Sequence, residues 1–457
     1  MKRPLIILAV LPCVIANLHA EELIVRTGAN IQEVINKASD GDTILVEPGR
    51  YVQSVYIDKQ DITFRGLVED GRHAELDGEM RLNDGIIASG HGTVIEGFVV
   101  RGYKGNGIMT QGANNFVIQN NTVHGAFYGI FPQYGKNGLV KGNTVTNAED
   151  AGIYVGMSDH IDVIDNIAHD NVMGLEFENT RHALMAGNEV YNNSTGIVLS
   201  LIPGLPVKDA FDQVVRDNII RDNNLENFAP ASSIAASVPE GVGIIVVGPD
   251  DVTIENNLIE NNLTAGAFVV DMFTFGLASD PKVDPYSDRV RVMENDWRNN
   301  GTAPIGMLGE MLTATGKKDL EIVSSGKDQG SCHALQEGMD TLGTDHWSVC
   351  EPGMSKVDYA SAMLPALAEA PIYTAEQKGR LSYLAVCTGC HTYGSVLHGP
   401  SMQSIKALYG DNVDAFVEYV ANPVRKRRDF PEMPGQRYLG AETLEAVANY
   451  VLFELDQ

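Results

Sequence analysis

The chain has 457 residues and carries 60 Asp and Glu against 33 Lys and Arg, a formal net charge of −27. That imbalance excludes nucleic-acid binding, because phosphate contacts need a basic face. It favours solubility and cationic or basic partners.

Met1-Lys2-Arg3 precedes an apolar run from Leu5 to Ile15, and Leu18-His19-Ala20 forms a small-residue cleavage site ahead of Glu21-Glu22. Residues 1–20 read as a secretory signal peptide, since the run is too short to span a bilayer. A lipoprotein anchor at Cys13 is the rival reading, and Leu11-Pro12 is a poor lead-in for it. No later apolar stretch is long enough for a membrane span. The expected location is the periplasm.

Residues 21–300 form a repeat array. Ile31-Gln32-Glu33-Val34-Ile35 with Ala38 reads as a short helix that covers the first coil, and Gly41-Asp42-Thr43-Ile44-Leu45-Val46 begins a strand. Gly-Ile or its equivalent then recurs at Gly85-Ile86, Gly107-Ile108, Gly129-Ile130, Gly152-Ile153, Gly174-Leu175 and Gly196-Ile197, every 22 or 23 residues, and resumes at Gly243-Ile244 and Gly266-Ala267. Asn121, Asn143, Asn166, Asn188, Asn218 and Asn257 keep a second phase. Such a period means a solenoid. Runs of three to five Val- and Ile-rich residues, punctuated by Gly, Asn and Asp, are strand chemistry with tight turns. Three short strands per coil predict an all-β right-handed parallel β-helix, with stacked Asn side chains hydrogen-bonded along its axis. Over residues 24–300 the repeat phase resembles the pectate-lyase-like β-helix proteins, which include periplasmic members with copper-site maturation or carbohydrate roles. The resemblance is one of fold and contains no catalytic motif. That fold hosts lyases, hydrolases, epimerases and binding proteins.

The residue after each inward Ile should point outward: Met109, Phe131, Tyr154, Glu176, Val198 and Ile245. An apolar stripe on an acidic solenoid is a surface that something covers. One cover is the 200–242 insertion, the Cys332–Cys350 segment or the C-terminal domain. The other is a polysaccharide, with Phe131 and Tyr154 as stacking platforms and Glu176 or Glu178 as acid/base. Asp150, Asp170 and Asp271, near turns, are candidate calcium ligands without a full ligand set.

The repeat phase is lost over 301–371, read as an end cap and linker. In an oxidising compartment Cys332 and Cys350 pair as a disulfide, against the alternative of two buried thiols.

Residues 372–457 differ in kind. Thr374-Ala375-Glu376-Gln377 is a capping box opening a helix toward Cys387-Thr388-Gly389-Cys390-His391, the spacing for covalent c-type haem attachment. Haem iron takes a second axial ligand, and Met433, in Phe430-Pro431-Glu432-Met433-Pro434-Gly435, is preferred over Met402, with an open position as the third option. Leu444, Val447, Ala448, Val451, Leu452 and Leu455 mark an amphipathic closing helix. This small all-α segment resembles the class I cytochrome c family. The resemblance implies one covalent haem c, His391 and Met433 as axial ligands, a Gly399-Pro400 carbonyl holding the proximal imidazole, and one-electron transfer. Arg425-Lys426-Arg427-Arg428, before the Met loop, reads as a solvated loop, with steering of an acidic redox partner beside an exposed haem edge as the alternative.

The expectation is thus a periplasmic monohaem electron-transfer protein whose β-helix binds a partner protein or a polysaccharide. The alternatives are a carbohydrate-active β-helix enzyme that passes electrons to its own haem, and an assembly or maturation scaffold.

Overall fold

The computed structural model describes residues 20–351, except 232, 326 and 336–338, and residues 373–455, except 389–390, 392, 395–398, 429 and 431–432. Residues 1–19 of the expected signal peptide, residues 352–371 of the expected linker and Cys390 lie outside the described residues.

The marker isoleucines build the solenoid. Ile108 lies in register with Ile86 and Ile130, then Ile130 with Ile153, Ile153 with Leu175 and Leu175 with Ile197, all in parallel pairing. Each is completely buried. Three parallel sheets therefore run the length of a β-helix, and their inward rows form one continuous core. A helix α1 (Ile31–Ile35), capped by the Asn30 side chain, seats Ile31 and Ile35 over the first coil.

The asparagines do what their phase implies. Asn121 Nδ2 donates to Asn143 Oδ1 at 3.1 Å, and the chain of donors continues through Asn166, Asn188, Asn218 and Asn257 to Asn295. A second ladder, absent from the sequence reading, runs from Asn171 through Asn193, Asn223 and Asn262 to Asn300. Its spacing stretches from 22 to 39 residues across the insertions, which hides it in the sequence.

The solenoid does not end at residue 300. Strands Leu320–Ser324, Cys332–His333, Asp340–Leu342 and Ser348–Val349 continue the same parallel ladders. A helix α2 (Gly306–Ala314) inserted between coils breaks the sequence period without breaking the stack. The segment expected to be a cap is coil, and a disulfide joins Cys332 to Cys350 across it, Cα–Cα 5.0 Å.

A helical module follows. Helix α3 (Ala375–Ser382) opens on a capping box in which Thr374 Oγ1 accepts from Gln377 N and Gln377 Oε1 accepts from Thr374 N. It runs into a π-helical turn, Tyr383–Cys387. Helices α4 (Met402–Tyr409), α5 (Val413–Ala421) and α6 (Ala441–Asn449) complete it. Helix α3 crosses α6 closely: a Cβ at Gly379 would sit 2.2 Å from the Ala446 carbonyl oxygen. Leu444, Val447, Ala448, Val451 and Leu452 bury the inner face of the closing helix.

The module lies on the outward stripe. Met109, Phe131 and Tyr154 share an apolar core with Tyr383, Val386 and Leu439. Tyr373 Oη donates to the Gly112 carbonyl at 2.7 Å, and Tyr438 Oη donates to Asp84 Oδ2 at 2.8 Å. Phe131 and Tyr154 are only 5% and 6% exposed. The open stacking groove expected for a polymer is therefore not present: the stripe is covered, because an aromatic row is cheaper to bury against helices than to hydrate.

Candidate functional site

Two cavities flank the junction between the solenoid and the module. The first lies inside the module and brings together Cys387, His391, Pro400, Met402 and Met433. Its walls are apolar, from Val386, Ile405, Phe416, Val420 and Val447, and its rim carries Arg425, Lys426 and Arg427. His391 is buried, and its Nδ1 lies 2.7 Å from the Pro400 carbonyl oxygen. A carbonyl only accepts, so Nδ1 carries the proton and Nε2 keeps its lone pair. Burial also pushes the imidazole pKa down, partly offset by the Pro400 bond, which favours the neutral ring. The bond requires glycine beside it: a Cβ at Gly399 would sit 2.3 Å from His391 Cε1. Ser401 Oγ accepts from Ser404 N and caps α4, fixing the chain that presents Pro400. Two buried polar atoms on the wall, Tyr409 Oη and Gln436 Oε1, have no hydrogen-bond partner among the described residues. The donor set fits a c-type haem: a thiol, a neutral imidazole, two thioethers, apolar walls for a flat macrocycle, and cations and the Tyr409 hydroxyl for its carboxylates.

The basic run rims this cavity rather than lying apart from it. Lys426 Nζ sits 4.2 Å from the Tyr419 ring centre, and the Arg427 guanidinium 4.7 Å from that of Phe430.

The second cavity, about 360 Å³, lies between the solenoid, the 200–242 insertion and the module. Asp150, Glu176 and Glu178 face it together with Tyr128, Tyr154 and Thr388. Three acids close together in an apolar enclosure disfavour one another's charge. Burial pushes Glu176 well above the usual carboxylate range, with the charges of Asp150 and Glu178 adding to it and a bond from Ser200 Oγ opposing it. Burial likewise pushes Glu178 up to about 7, opposed by Tyr154, and Asp150 up to about 8, with the charge of Glu178 adding. The sequence reading named Glu176 and Glu178 but not Asp150 as their partner, since Asp150 comes from a coil 26 residues earlier than Glu176.

Asp150, Asp170 and Asp271 are not brought together as calcium ligands. Asp170 Oδ2 bonds His169 Nδ1 at 2.7 Å, and Asp271 Oδ1 accepts from Thr274 N at 3.0 Å to close a turn. On an outer turn Asp159, His160 and His182 bring potential ligand atoms within 4.8 Å of one another. Both histidines already hold carboxylates, His160 with Asp159 and His182 with Asp212.

A family model described as "Right handed beta helix region" matches residues 80–201. The solenoid is a right-handed parallel β-helix. No curated protein sequence matches the chain. Among solved structures, the mannuronan C-5 epimerase AlgE4 A-module of Azotobacter vinelandii is 15% identical, with TM-score 0.44, covering 71% of this chain and 89% of that one. The DFA-IIIase of Arthrobacter chlorophenolicus A6 without its lid is 11% identical, with TM-score 0.46, covering 72% and 96%. An alginate lyase from Paenibacillus sp. is 14% identical, with TM-score 0.38, covering 70% and 97%. These likenesses are of fold and assign no reaction.

Proposed function

We propose that the helical module carries one covalent c-type haem and that the protein is a periplasmic one-electron carrier, its β-helix serving as the platform on which the module is held. The observation that carries this reading is the 2.7 Å bond from His391 Nδ1 to the Pro400 carbonyl, beside Cys387, in an apolar cavity that also takes in Met433. Cys387 and Cys390 would hold the group by thioether bonds, His391 Nε2 would be its proximal ligand, and Met433, rather than Met402, its distal one. Bound haem supplies a reversible single electron. The chain does the rest. Pro400 fixes the tautomer and aim of His391, Gly399 leaves the space for it, and the apolar walls exclude water. Arg425, Lys426 and Arg427 at the rim would give an acidic redox partner its orientation.

The test is expression with cytochrome c maturation, followed by reduced-minus-oxidised spectra and mass of wild type and Met433→Ala. Sharp haem bands and a mass increase of one haem are expected, with the far-red Met–iron band lost in the variant. A protein that acquires no haem would end this reading. A far-red band unchanged in Met433→Ala would move the axial assignment to Met402.

A second reading takes the β-helix as a carbohydrate-active enzyme. It is favoured by Asp150, Glu176 and Glu178 on one cavity wall, where neighbouring carboxyls of unequal pKa can divide acid and base roles. The covered stripe confines any such substrate to a small molecule or a chain end. Assays with neutral oligosaccharides and with polyuronates, on wild type and Glu178→Gln, separate the two readings.

A further inference from the structure

The second cavity has a chemistry of its own. Its described lining residues include three carboxyls and no Lys, Arg or His. Asp150 is 9% exposed, and its carboxyl has no hydrogen-bond or ion-pair partner among the described residues. A buried carboxyl without a partner is costly unless something enters to pair with it. Aromatic rings stand beside the acids on the same sheet: Tyr154 is in register with Glu176, and Tyr128 lies 5.1 Å from Tyr154 and 4.7 Å from Phe127, centre to centre. A bare metal ion would need its ligands converging at bonding distance. Among the described residues, the cluster whose ligand atoms converge within 4.8 Å is Asp159, His160 and His182, outside this cavity. An anionic sugar acid finds no cation among the described lining residues and would add its charge to three carboxyls.

We propose that this cavity binds a small organic cation, an ammonium group on a compact apolar body, with Asp150 and Glu178 pairing its charge and Tyr128 and Tyr154 packing against it. Rings and carboxylates together are what such a cation selects over water. The mouth lies by the 3₁₀ turn Ile234–Ser237, where Ile234 is largely exposed. Entry of the cation stabilises the ionised carboxylates, so binding releases protons from the acids to solvent and strengthens as pH rises. The proposal does not depend on the haem reading: its site is built from the solenoid and the insertion, with Thr388 at one edge.

Calorimetric titration of the full-length protein tests it, with choline and butylamine as probes and 3,3-dimethyl-1-butanol, the uncharged isostere of choline, as control. Haem content is read separately from absorbance, so that loss of haem and loss of binding are told apart. The cations should bind at least about tenfold more tightly than the isostere. Repeating the titration in buffers of different ionisation heat should reveal proton release. Asp150→Asn should weaken choline about tenfold or more while leaving the thermal midpoint unchanged or raised, since that carboxyl makes no bond to lose. Should Asp150→Asn fail to fold, Tyr128→Ala supplies the second variant, with the same weakening expected. Equal binding of choline and its isostere, or binding of neither, would overturn the proposal. So would neutral oligosaccharide or polyuronate binding at this site in place of the cations.

Discussion

The two halves of this chain solve the same problem of core formation in opposite ways. The solenoid's inner core needs nothing from outside: each coil buries its Ile against the next, and two asparagine ladders satisfy the polar groups of the turns. The helical module is built around a hole. Its apolar residues turn toward a cavity that also holds a thiol, a buried imidazole and orphaned polar atoms. A repeat stack gains stability one neighbour at a time. A module of some eighty residues lining such a cavity has little core of its own, and on the proposed reading a haem would complete it.

Breaking the module should therefore leave the solenoid standing, and this is the largest effect expected. Replacing Cys387 and Cys390 by Ser should abolish haem attachment and most helical signal in far-UV circular dichroism, while the β-sheet signal and its unfolding transition persist. A single cooperative loss of both signals would show instead that the halves fold as one.

The reverse experiment strikes the ladder. Asn166 Nδ2 donates to the Val140 and Ile164 carbonyls and to Asn188, and its Oδ1 accepts from Asn143. Asn166→Ala strands several buried groups, at a cost of about 3 kcal/mol to the solenoid in denaturant unfolding, with haem spectra unchanged. A finer cut is Gly399→Ala, whose methyl would collide with His391. It should leave the solenoid's midpoint alone and either block haem incorporation or shift the reduction potential and Soret band. Across the junction, Tyr438→Phe removes the bond to buried Asp84 and should cost about 1–2 kcal/mol, read as weaker protection of α3 and α6 from hydrogen exchange.

The smallest effect is on pH. Asp150, Glu176 and Glu178 all have folded-state pKa values raised above those of the unfolded chain. They hold protons in the folded state that the unfolded chain releases above about pH 4. Stability from these groups is complete below that and is lost as pH rises, through about 7 for Glu178 and about 8 for Asp150. Thermal midpoints should fall over that range, and Glu176→Gln should flatten the slope. A slope unaffected by the substitution would place the titration elsewhere.

Much of the solenoid was legible because its determinants are local and repeated. A Gly-Ile pair every 22 or 23 residues fixes sheet, face and register at once. Legibility failed where the period did. The insertions hid the second asparagine ladder, and α2 disguised the last coils as a cap. In the module, Cys387 and His391 are named by motif spacing, Met433 by its proline-flanked loop and Pro400 by the family resemblance, and the cavity they line is shared by all four. The second cavity was only half visible. Glu176 and Glu178 share a strand, whereas Asp150, Tyr128 and the cover come from separate coils and another module, and no linear pattern joins them. Tyr438 and Asp84, 354 residues apart, meet by the same kind of folding accident that sequence patterns do not encode.

Thr388 borders the carboxyl cavity, and its neighbour Cys387 borders the imidazole cavity. The two residues are consecutive, so one short segment contributes a wall to each cavity. Charge placed on one side acts on the other through protein rather than through water, where screening is weak. With a haem bound as proposed, whatever net positive charge the acidic chamber gains, the cation's charge less that of the protons it displaces, would make electron loss harder next door and raise the midpoint potential, so that the occupancy of one room is reported as a voltage in the other.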